Sequence, residues 1–121
     1  MEENNKEITY KVIGVAYEVH NNLGPGFQEV IYQRALAREF MAKNINFARE
    51  EWIPVYYKNT VIGKRRVDFT LSKIIVEIKA RAEIKPKDYI QTLSYLKATK
   101  FKIALLLNFG TKQLQVKRFI N

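Results

Sequence analysis

Three residues near the middle of the chain combine acidic and basic chemistry at close spacing: Asp68, Glu77 and Lys79. Their geometry follows if residues 61–71 and 74–80 form two strands closed by a tight turn at Ser72-Lys73. Leu71 then faces Ile74, Phe69 faces Val76 and Val67 faces Ile78, an apolar face that belongs to the core. On the opposite face Asp68 meets Glu77, Arg66 meets Lys79 and Lys64 meets Arg81. Like charges directly across neighbouring strands destabilise a sheet, so two opposed carboxylates call for a cation. Glu77 also interrupts the apolar run Ile74-Ile75-Val76-Glu77-Ile78, which reads as a central strand. A divalent ion on hard oxygen ligands meets both demands; magnesium is the natural candidate and manganese the alternative. Lys79 shares the face of Glu77 two residues on. Carboxylates that fix a metal, with a cation near the attacked phosphate, are the parts that phosphodiester hydrolysis needs. The competing reading is a solvent-facing hairpin whose charges pair diagonally, Asp68 with Lys79 and Glu77 with Arg66.

Other polar residues fall on apolar stripes. Glu29 shares a helical stripe with Tyr32, Leu36 and Phe40. A carboxylate there either complements the helix N-terminus or finds its partner in a metal site. Gln91 and Tyr95 stand one helical turn apart, with Lys87 a turn before them. They could orient DNA or the metal site, or form an ordinary polar helix edge. His20 is the only histidine and reads as structural, at a helix C-terminus that favours imidazole. Trp52, Tyr56 and Tyr57 could stack on bases, although packing into the sheet core is the plainer reading.

The elements that must position these residues are legible from period and punctuation. Asn4 and Glu7 resemble a capping box, and Ile8, Val12, Val15, Val19 and Leu23 recur at helical spacing until Gly24-Pro25-Gly26. A second helix is expected over 27–43, with Asn44 as its left-handed stop. Strands follow at 52–57, 61–71 and 74–80, with Lys58-Asn59-Thr60 as a turn. Pro86 opens a third helix to residue 98, and strands at 101–107 and 114–120 complete the chain. The order ααβββαββ describes one α/β domain over residues 1–121, without repeats or an evident linker.

The composition narrows the partners. With 21 Lys+Arg against 12 Asp+Glu, the net charge is +9 and favours a polyanion, nucleic acid above all. The absence of cysteine excludes disulfides and thiolate metal sites. No apolar run approaches the ~20 residues of a membrane span, and the polar N-terminus has no signal-like segment. A soluble, cytoplasmic protein that does not act on membranes is expected.

These residues also carry a resemblance. Gly26-Phe27-Gln28-Glu29-Val30-Ile31-Tyr32, then Asp68, Glu77-Ile78-Lys79, Gln91-Thr92-Leu93-Ser94-Tyr95 and Asn108-Phe109-Gly110 together resemble the GxxExxY family of the PD-(D/E)XK nuclease superfamily. One departure is Val67, where the superfamily signature carries proline. The resemblance implies a restriction-endonuclease-like core, a mixed central sheet flanked by helices, with the active site where two strands diverge. It implies that Asp68 and Glu77 bind magnesium, that Glu29 completes the acidic site, and that Lys79 positions or activates the attacking water. Gln91 and Tyr95 look like the helix motif of the superfamily's exonuclease branch. DNA is the expected substrate, with RNA open, held by Lys64, Arg65, Arg66, Arg81, Lys85 and Lys87 through charge. The alternative is a nucleic-acid- or partner-binding module that keeps the fold without efficient cleavage. So small a domain leaves targeting to a homodimer or a cellular partner.

Overall fold

The computed structural model describes residues 4–121, in which three helices and five strands follow the expected order. α1 (Asn5–Leu23) opens where the Asn4 side chain accepts the Glu7 N–H at 2.9 Å. It buries Val12, Val15, Ala16 and Val19, and ends at Gly24, whose φ of 67° only glycine adopts without strain. α2 (Glu29–Ala42) starts two residues later than the periodicity suggests. Its first turn is held by Tyr32, whose hydroxyl donates to Gly24 O (2.6 Å) and accepts from Phe27 N (3.2 Å). Asn44 takes the expected left-handed conformation, φ 56°.

The strands β1 (Ala48–Tyr57), β2 (Thr60–Leu71), β3 (Ile74–Lys79), β4 (Ile103–Asn108) and β5 (Gln115–Ile120) form one sheet in the order β1-β2-β3-β4-β5. All neighbours are antiparallel except β3 and β4, which run parallel through the crossover helix α3 (Pro86–Lys97). This is the mixed sheet between helices that was expected. β1 begins four residues earlier than its β-formers imply, because Ala48 and Arg49 pair with Thr70 and Phe69. β1 is irregular: Glu50 has φ 52°, and the register slips between Val55 and Tyr56.

Continuous apolar stretches explain the two central strands. Both faces of β3 and β4 are covered, so nearly every residue in them is apolar and buried. On one face Phe69, Leu71, Ile74, Val76, Leu105 and Leu107 pack against Val12, Tyr32, Leu36 and Phe40 of α1 and α2. On the other a smaller cluster joins Ile53, Val67, Ile75, Ala104, Leu106 and Phe119 to Leu96 of α3. Tyr56 is half-buried, but core packing is not observed for Trp52, 55% exposed, or for Tyr57, also exposed. Each lies on a stretch of ribbon that no helix covers. His20 is structural, buried with Nε2 2.9 Å from Thr111 O, which ties α1 to the β4–β5 turn. Among the described residues no helix is long and apolar enough to cross a membrane.

Candidate active site

The site arises where β2 and β3 part. Their ladder pairs Leu71 with Ile74, Thr70 with Ile75 and Phe69 with Val76, as the turn register requires, and stops there. β2 nevertheless continues along β1 to its far end. Two backbone N–H groups at the fork therefore lose ladder partners and must find others. The carboxylates supply them. Ile78 N–H donates to Asp68 Oδ2 (2.8 Å), and Asp68 N–H donates to Glu77 Oε1 (3.2 Å). Asp68 and Glu77 are thus joined as expected, but through each other's strand rather than as ladder partners.

The fork corrects the rest of the extrapolated register. Arg66 does not oppose Lys79, nor Lys64 Arg81, because the ladder has already ended. Val67 does not lie with Ile78: it packs in the α3-side cluster, while Phe69 and Ile78 pack on the α1–α2 side. Two residues apart on a regular strand would share a face, so β2 turns over at Asp68. The turn brings Arg65, not Arg66, to Glu77 (Nη2–Oε2 2.8 Å), and Arg66 pairs instead with Glu50 at 3.3 Å.

A line of polar contacts crosses the molecule through this point. Asp68 Oδ1 accepts from Gln33 Nε2 of α2 (2.8 Å), and Gln33 Oε1 accepts from Arg49 Nε (2.7 Å). On the other side the Arg65 guanidinium lies 4.0 Å from the centre of the Tyr95 ring, and Gln91 Nε2 donates to Tyr95 OH (3.2 Å). Gln91 and Tyr95 therefore reach the site only through Arg65. Glu77 is 8% exposed. Burial pushes its carboxyl above the ordinary range, Arg65 pulls it back by hydrogen bond and charge, and the Asp68 charge pushes it up again. For Arg65, burial works against the charge and the Glu77 partner outweighs it, holding the guanidinium above its usual value.

Lys79 ends β3 half-buried, and its side chain forms no ion pair among the described residues. Its backbone is fixed: Lys79 O accepts Phe109 N–H (2.8 Å), and its register partner is Asn108. Asn108, wholly buried, accepts from the N–H groups of Arg81 (3.0 Å) and Gly110 (3.1 Å) and donates to Arg81 O (3.0 Å) and Gln115 Oε1 (2.9 Å). A Cβ on Gly110 would sit 2.3 Å from Arg81 backbone atoms, so only glycine fits there. Between them Phe109 stacks on Tyr32 at 4.6 Å. Asn108-Phe109-Gly110 is thus a clasp that sets where the chain leaves Lys79.

A sequence profile of the PD-(D/E)XK nuclease superfamily matches residues 6–119. The chain belongs to that superfamily. Searches of curated proteins and of solved structures give no significant match. The mixed sheet, the helices on both faces and the order ααβββαββ agree with the PD-(D/E)XK fold. Metal dependence is typical of this superfamily, and the fork offers it two carboxylates. Their four oxygens each accept one hydrogen bond from Gln33, Ile78, Asp68 or Arg65. An ionised carboxylate oxygen has room for a second partner, and magnesium needs only one or two protein carboxylates beside water and phosphate. The donor set therefore fits the ion, with Arg65 the group that must share Glu77.

Glu29 takes a different place from the one its stripe suggests. Tyr32, Leu36 and Phe40 are buried, whereas Glu29, first residue of α2, is exposed at the open turn where water reaches it. Among the described residues no group of three His, Cys, Asp or Glu could hold a metal, so Glu29 does not join Asp68 and Glu77 in one. The residue one turn on, Gln33, is the one that touches Asp68. Of the basic residues, Lys64, Arg66, Lys85 and Lys87 are exposed. Arg65 is engaged by Glu77, and Arg81 by both oxygens of Asp88 (2.9 and 2.8 Å). Burial alone would raise the Asp88 carboxyl; the Lys85 N–H and Arg81 outweigh it and hold the carboxyl below its usual range.

Proposed function

We propose that this chain is a magnesium-dependent DNA nuclease of the GxxExxY type, residues 6–119 forming one nuclease unit. The observation that carries the reading is the fork: two carboxylates interlocked where strands part, Glu77 two residues before a lysine that forms no ion pair among the described residues and whose charge acts on Asp88. Asp68 and Glu77 would hold magnesium, or manganese in its place, and the exposed Glu29, one turn before Gln33 on α2, is the further carboxylate that the resemblance implies. The bound ion would supply Lewis acidity and lower the pKa of water. Lys79 Nζ positions the attacking water and stabilises negative charge building on the phosphate. Gln33 fixes the Asp68 rotamer. Arg65, braced by Tyr95 and Gln91, fixes that of Glu77. Lys64, Arg66, Lys85 and Lys87 hold the phosphate backbone by charge, which makes binding steeply salt-dependent.

One observation favours a second reading, a binding module without efficient cleavage: Arg65 already provides Glu77 with a cation. One experiment separates the two. Linear, nicked, circular and single-stranded DNA are incubated with magnesium, manganese or EDTA, beside Asp68→Ala and Lys79→Ala. The nuclease reading expects metal-dependent cleavage, lowered about 10²–10³-fold by Lys79→Ala, the cost of removing one preorganised transition-state donor. Salt-sensitive binding without cleavage supports the module. Neither binding nor cleavage removes both.

A further inference from the structure

The part of β2 beyond the fork, residues 60–67, pairs with β1 alone and forms a two-stranded ribbon leading away from Asp68. Its surface is unlike the rest of the sheet. Trp52, Pro54, Val61, Gly63 and Lys64 line a shallow apolar groove, with Lys64 Nζ 5.1 Å from the centre of the exposed Trp52 ring. Lys58 Nζ lies 5.6 Å from the Tyr57 ring and Lys100 Nζ 4.7 Å from the Tyr56 ring. Residues 52–67 include Lys58, Lys64, Arg65 and Arg66 and no Asp or Glu.

We propose that this ribbon binds single-stranded DNA, with Trp52 and Tyr57 stacking on unpaired bases and Lys58 and Lys64 holding the adjoining phosphates. Exposed aromatic rings interleaved with cations are what a sequence-tolerant single-strand platform requires, since every base offers a π-face. A duplex hides those faces, so the rings would add nothing to its binding. A second copy of the chain would bring Lys58 and Lys64 against the same two lysines at the groove, which disfavours self-association there. Trp52 to Tyr57 spans ~17 Å at the usual strand rise. β2 continues from Lys64 through Arg65 to Asp68, so a strand lying on the ribbon is led to the fork. The proposal deepens the nuclease reading by naming the form of its substrate, and its test needs no cleavage.

Trp52 is the only tryptophan in the chain, so its emission reports on this groove alone. The full chain in EDTA is titrated with an oligothymidylate of about 16 nucleotides, the upper site size of one single-strand-binding fold, and with a blunt duplex of equal length. The single strand is expected to quench Trp52 and to bind more tightly than the duplex. Labelled-oligonucleotide anisotropy should show Trp52→Ala weakening single-strand binding about tenfold, and Trp52→Phe restoring most of it. Lys64→Ala should reduce the salt dependence by about one phosphate contact. Equal affinity for duplex without quenching would overturn the proposal, whatever the cleavage assays show. So would sedimentation showing a dimer that Trp52→Ala dissociates. Trp52 quenching in the unaltered chain, and the anisotropy of the Phe variant, keep the test decisive if Trp52→Ala is misfolded.

Discussion

The two halves of β2 have the same strand geometry and opposite circumstances. At Phe69 and Thr70 the strand lies between β1 and β3, and from Phe69 to Leu71 its side chains are buried. From Thr60 to Arg66 it has one neighbour and is largely open to water. Asp68 stands at the border. Backbone pairing satisfies the first half, whereas the border needs side chains to replace a missing ladder, and carboxylates facing free N–H groups do this well. The charge that chemistry would use is therefore placed by the same hydrogen-bond demand that ends the sheet. The carboxylates that would bind an ion thus already act as caps, with the burial of Glu77 the cost set against them.

The sharpest test of that contrast is deletion in the buried half. Phe69→Ala removes a ring packed against Phe40 and Phe47 and should cost about 3–5 kcal/mol in urea unfolding. At the border, Arg65→Met should cost about 1–3 kcal/mol at neutral pH, between an exposed and a fully buried pair. That loss should depend on pH, measured with EDTA present. The Glu77 carboxyl already lies above its ordinary range. Its stabilising contribution is complete below the unfolded value, about 4.3, and is lost as pH rises through the folded value. Without Arg65 the folded value climbs further, so the variant should lose more stability than the unaltered chain between pH 4.5 and pH 8, as read from urea midpoints. On the ribbon, Ile62→Ala removes a side chain 65% exposed and should change stability by no more than about 0.5 kcal/mol. A loss comparable to that of Phe69→Ala would mean that the ribbon is not an independent, exposed arm.

Much of this arrangement is legible in the sequence. Helical stripes ended by Gly24 and Asn44, Pro86 at a helix start and apolar runs in β3 and β4 give every element in order. The pairing of Phe69 with Val76 follows from a two-residue turn at Ser72-Lys73. Extrapolating that register fails one step further on, because alternation assumes an unbroken ladder and Asp68 ends it. The expected strands 61–71 and 74–80 were already unequal, and in the structure β2 has twelve residues and β3 six, so half of β2 runs beyond its partner. The same inequality exposes Trp52, whose β-propensity says nothing of what covers it. Gln33 was missed because an amide four residues after Glu29 reads as an ordinary polar helix position. Only the fold brings it to Asp68. Lys79 and Asn108, by contrast, end two apolar strands with polar residues, a pattern visible before any coordinates.

β1 also shapes how the molecule meets copies of itself. As the outermost strand it would be a template for strand addition, yet Glu50 kinks it, Pro54 removes a donor and the Tyr56 N–H is spent on Ala98 O at 2.8 Å. The opposite border, β5, shows Lys117 and Arg118 to solvent. Neither of these two margins invites another chain to extend the sheet, which leaves the edge of β2 beyond the fork, residues 60–67, as the place where strand addition would start.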